Sequence, residues 1–75
     1  MTTTLYAGSL AERVVDWFER NPDEELTAHD IAVKFSYRRN RVHERLMVAV
    51  REGYLTRSTK RPAIYRRGAK SNEHH

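Results

Sequence analysis

The chain contains no cysteine, only two prolines and three glycines, and no apolar run that approaches the roughly 18 residues of a membrane-spanning helix. Without thiols it can form neither a disulfide nor a thiolate zinc site, which excludes zinc fingers and stapled secreted scaffolds. The stretch from Met1 to Ala7 is too short and too polar for a signal peptide, so a cytoplasmic location is expected. The length, 75 residues, falls below the roughly 100 to 200 residues usual for a domain, so one small domain without a small-molecule effector domain is expected. A hydrophobic content of 39% and an aromatic content of 9% are enough for one thin core. Such a core rests on packing alone, helped where needed by self-association into a homodimer.

Acidic residues are scarce in one half only. Residues 1–33 hold two bases (Arg13, Arg20) and seven acids, whereas residues 34–70 hold twelve bases and two acids, Glu44 and Glu52. A net charge of +4 therefore hides a strong asymmetry within one small domain. Solubility needs only interspersed signs; a one-sided positive field is what a polyanion selects.

Hydrophobic spacing gives the element order. Residues 1–8 read as a flexible lead. Ser9 with Glu12 forms an S-x-x-E capping box for a first helix whose apolar face is Leu10, Val14, Trp17 and Phe18, widened by Ala11 and Val15 and stopped by Asn21-Pro22. Leu26 is an isolated apolar residue that suits a very short strand. Thr27 and Asp30 form a second capping signal, for a short helix with Ala28, Ile31, Ala32 and Phe35 as its stripe. After Ser36-Tyr37, a third helix is expected from about Arg38 to Glu52 with Val42, Leu46, Ala49 and Val50 as its apolar stripe, closed by Gly53. The segments Tyr54–Ser58 and Ala63–Arg67 alternate as a β-hairpin, with Leu55 and Ile64 as the expected inward residues. A domain over residues 9–68 and a disordered tail over 69–75 complete the expectation; Glu73-His74-His75 resembles the remains of an expression tag and is set aside.

The fold class expected from this order is α+β. The segment from Asp30 to Leu46, followed by Arg51-Glu52-Gly53-Tyr54-Leu55, resembles the winged helix-turn-helix family, and in particular the DNA-binding half of GntR-type bacterial regulators. The resemblance spans Ser9 to Gly68 and implies a three-helix winged helix-turn-helix with a C-terminal hairpin wing. It implies that Ile31 and Phe35 pack against Val42 and Leu46, that Tyr37 plugs the turn and that helix 3 enters the major groove of double-stranded DNA. The expected protein is a small stand-alone transcriptional regulator of phage, plasmid or bacterial origin, nucleoid-associated, with no cofactor. Two positions depart from the family pattern: Ser36 stands where glycine is common, and Arg38 where a Ser or Thr cap is usual. A first turn with three arginines opposes the helix dipole, a conflict that a bound phosphate would relieve.

Thr27-Ala28-His29-Asp30 and Pro62 give a narrower resemblance to winged domains that recognise Z-form nucleic acid, with Arg39 where those have a basic contact. The positions of their Asn and Tyr readers hold His43 and Met47, and Tyr65 replaces a wing Trp.

With Val42 facing the core, Arg39, Asn40, His43 and Met47 share one outward face of helix 3. Arg39 suits guanine O6 and N7, Asn40 suits adenine, His43 a base acceptor or a phosphate, and Met47 a thymine methyl. The alternative is that these are ordinary surface side chains. Arg38 and Arg41 sit where phosphate contact is as natural as base contact, and Arg45 and Arg51 can instead snorkel over the core edge. Arg57, Lys60, Arg61 and Arg66 surround a wing tip stiffened by Pro62 and suit backbone or minor-groove contact, although basic edge strands also prevent aggregation. No catalytic constellation and no metal site is expected, and His29 reads as a first-turn surface residue. The competing function is a protein-protein interaction module that docks a basic partner on the acidic first helix.

Overall fold

The structure, a computed structural model, describes residues 8–70. The expectations for residues 1–7 and 71–75 lie outside the described residues.

Helix α1, Leu10–Arg20, starts where its capping signal stands. The Ser9 hydroxyl accepts from the Glu12 N–H at 3.2 Å. The return bond lands one residue further back than a capping box places it, because Glu12 Oε1 accepts from the Gly8 N–H at 2.7 Å. At the other end Asn21 ties back to Trp17 twice, through its backbone N–H at 3.0 Å and its side-chain amide at 2.9 Å. Leu10, Ala11, Val14, Val15 and Phe18 are buried; Trp17 is half-buried, edge-on to Phe18 and covered by the Lys34 ammonium.

The isolated Leu26 does form a short strand, β1, Glu25–Thr27. Helix α2, Ala28–Lys34, follows at once under a complete capping box: Asp30 N–H donates to the Thr27 hydroxyl and Thr27 N–H to the Asp30 carboxylate, at 3.1 and 3.0 Å. The Thr27 N–H first, and the Thr27 hydroxyl second, hold the Asp30 carboxyl below its ordinary range. Ile31 and Ala32 are buried, while Ala28 and Phe35 only flank the core. In the turn, Ser36 adopts φ 54°, the left-handed conformation that glycine takes without cost. Tyr37 packs against the core beside it, its N–H donating to the Ala32 carbonyl at 2.8 Å.

Helix α3, Arg39–Arg51, is the longest element, one residue shorter at each end than the apolar spacing suggests. Arg38 is its N-cap and makes no side-chain capping bond, and the first turn holds no acid. Val42, Leu46 and Ala49 face inward and meet both α1 and α2. Gly53 closes the helix at φ +91°.

Strands β2, Leu55–Arg57, and β3, Ile64–Arg67, form the hairpin, and β1 pairs with the other side of β3. The result is an antiparallel three-stranded sheet in the order β1-β3-β2. The register sets Tyr65 opposite Leu26 on one side and Arg57 on the other. Because facing residues share a sheet face and alternate residues repeat it, Leu26, Leu55, Arg57 and Tyr65 lie on the inner face. Ile64 therefore lies on the outer face, half-buried, and the expectation that it points inward is corrected: Tyr65 takes that place and is fully buried. Leu55 is inward as expected.

The chain beyond the hairpin stays attached. Gly68 N–H donates to the Tyr54 carbonyl at 2.8 Å and Lys70 N–H to the Gly53 carbonyl at 3.0 Å. The Lys70 ammonium sits 4.7 Å over the Tyr54 ring and pairs with Glu52. Ala69 and Lys70, assigned from the sequence to the tail, thus extend the order of the domain. No helix among the described residues is long and apolar enough to cross a membrane.

Candidate functional site

Pairing of Thr27 with Ile64 brings the start of α2 beside the first residue of β3. Across from it, the loop between β2 and β3 is pinned at its base by two bonds, Ser58 N–H to the Ile64 carbonyl at 2.9 Å and Ile64 N–H to the Ser58 hydroxyl at 3.0 Å. The first turns of α3 form the floor between these walls. They enclose an open groove of about 1040 Å³, lined by Thr27, Ala28 and His29, by Arg39, Asn40 and His43, and by residues 57–63 of the hairpin.

Every charged side chain in this lining is basic: Arg39, Arg57, Lys60 and Arg61, with the two imidazoles beside them. The nearest capping acid, Asp30, is not part of the lining and is already engaged with Thr27. Arg39, Asn40 and His43 come together because steps of three and four residues return to one side of α3. Arg57 joins them from the sheet, because its strand alternation puts it on the inner face beside Tyr65.

A hydrogen bond between an exposed and a buried ring backs the groove. The hydroxyl of buried Tyr65 contacts Nδ1 of exposed His43. The two rings lie 5.7 Å apart, tilted by 33°. Burial raises the Tyr65 phenol above its ordinary 10.0, and the nearby Arg57 guanidinium pulls in the opposite direction.

The remaining sequence-selected residues fall elsewhere. Arg38 and Arg41 line a second, shallower concavity of about 410 Å³ with Ser36, Tyr37 and Arg45, at the turn before α3. Arg41 also stands 4.0 Å from Glu44 in an exposed pair. Met47 lies one turn beyond His43, 56% exposed and outside the groove lining. Arg66 is on the outer face of the sheet, ion-paired with Glu25, and is not brought to the groove. Sequence reasoning set His29 aside, yet it lines the groove. The signal for it was the strand propensity around Leu26, because β1 is what carries the start of α2 to the hairpin.

Among the described residues no group of His, Asp and Glu side chains is placed to hold a metal ion. The groove offers fixed cations, one amide, hydroxyls and imidazole N–H groups, a donor set suited to phosphate oxygens and base edges. Comparison of the chain with protein-family models, with curated proteins and with solved structures found no match.

Proposed function

We propose that the chain is a winged helix-turn-helix DNA-binding protein, with α3 directed into the major groove and the hairpin acting as a wing on the flanking backbone. The observation that carries this reading is the groove between α3 and the hairpin, in which every charged lining residue is basic. Three helices and a three-stranded antiparallel sheet are compatible with that fold. Arg39 and Asn40 have the donor geometry to read guanine and adenine, and Lys60 and Arg61 at the loop suit phosphates. Arg38 and Arg41 flank α3 on its other side, so that backbone phosphates on both sides of the helix meet positive charge. A transcriptional regulator, nucleoid-associated and acting without a cofactor, is the role this implies.

The test is the salt dependence of duplex binding, followed by fluorescence anisotropy. Neutralising about four to six phosphates gives a log-log slope of roughly −4 to −5. A slope near zero, or no binding at low salt, contradicts the proposal and turns attention to a protein partner for α1.

A further inference from the structure

His43 carries no charged partner in the groove, yet its ring is not free to turn. Nδ1 is held by the Tyr65 hydroxyl, which is itself inaccessible to solvent. The phenolic O–H must find an acceptor in a buried position, His43 Nδ1 is the partner within reach, and no buried side-chain polar atom among the described residues is left without a partner. His43 Nδ1 supplies that acceptor only when it bears no proton. A proton on Nδ1 would instead make the phenol oxygen the acceptor and leave its own O–H without one in the interior, a costly arrangement.

We infer that Tyr65 is a positioning residue which holds the His43 proton on Nε2, so that the imidazole presents a single oriented N–H donor to the groove. The buried phenol sets the direction of the bond, and His43 delivers it to the groove. The raised phenol supports the arrangement, since a Tyr65 that stays protonated keeps its O–H as a donor. An oriented Nε2–H complements a phosphate oxygen or a base acceptor such as guanine O6 or N7, and rejects a donor such as an exocyclic amine. The proton placement is a property of the free protein, whereas its use in recognition rests on the DNA-binding reading above.

Nitrogen-15 NMR of the free protein, detecting the long-range couplings of the His43 ring, reads the tautomer directly. The wild type should show Nε2–H, and Tyr65→Phe, which keeps the ring and removes only the hydroxyl, should show a mixture. Should Tyr65→Phe fold poorly, the wild-type tautomer decides by itself. An Nδ1–H tautomer in the wild type, or an unchanged Nε2–H tautomer in a folded variant, overturns the inference. In the second arm, Tyr65→Phe should weaken binding to a random-sequence B-form duplex roughly threefold, the worth of one modest hydrogen bond, with an unchanged salt slope. Unaltered affinity in a variant whose tautomer has changed overturns the role in recognition. If the wild type does not bind the duplex, the DNA-binding reading fails, and the tautomer measurement still decides the proton placement.

Discussion

Gly68 lies directly against the backbone of Gly53: a Cβ at position 68 would stand 2.2 Å from the Gly53 carbonyl oxygen, and 2.6 Å from the Tyr54 carbonyl carbon. The contact locks the end of β3 onto the turn that follows α3, and it is made by backbone atoms that cannot step aside. Gly68→Ala should therefore destabilise the domain by about 2–3 kcal/mol, as forced overpacking does. Urea unfolding checks this; a loss below about 0.5 kcal/mol would mean that the turn after α3 yields easily.

Arg38 stands at the N-cap of α3 without making a capping bond, and the first turn has no acid to balance the helix dipole. Arg38→Ser should raise stability by about 1 kcal/mol through a new cap, and it should weaken DNA binding by removing a phosphate partner. Opposite signs in the two measurements are the expected outcome. A parallel loss of both would show that Arg38 serves the fold.

Much of the fold was legible because its signals are local. The capping residues Ser9 and Thr27, the stop at Asn21 and the glycine after α3 each act within one turn of their helix, and each stands where the sequence put it. The phase of β3 was not legible. Ile64 is the more apolar neighbour of Tyr65, but the ring of Tyr65 can go inside because His43, from another element, satisfies its hydroxyl. The groove was half legible for the same reason. Helical spacing groups Arg39, Asn40 and His43, whereas the arrival of His29 and the departure of Arg66 depend on the pairing of β1 with β3.

The buried phenol gives stability a pH dependence of definite sign. In the unfolded chain Tyr65 ionises near 10.0, and in the folded protein it stays protonated to higher pH. Above pH 10 the unfolded state holds fewer protons, so this contribution to stability is full below that pH and is lost as pH rises toward the folded value. Tyr65→Phe should cost about 1 kcal/mol near neutrality and show a shallower decline in alkali. Asp30 acts at the other end: its lowered folded value stabilises above 3.8 and is lost as pH falls, so Asp30→Asn should flatten the acid limb. Parallel wild-type and variant curves at either end would contradict the corresponding assignment.

Arg39 and Arg66 separate the two faces of the domain. Arg39→Ala should weaken duplex binding by about 1–3 kcal/mol and relax sequence preference. Arg66→Ala, on the outer face beside Glu25, should change affinity little and stability by less than about 1 kcal/mol. Lys60→Ala should weaken all sequences alike. Equal effects of Arg39→Ala and Arg66→Ala would show that the groove is not the binding face.

The most direct test of the account is a backbone amide NMR titration with a random-sequence B-form duplex at moderate salt, repeated with an alternating CG duplex. Shifts concentrated in residues 27–29, 38–47 and 57–63, with α1 unmoved, are the predicted result, and stronger binding of the CG duplex would favour a Z-form ligand at the same face. Shifts on α1, or none in the groove with either duplex, would contradict a DNA-binding role for the basic half of this domain.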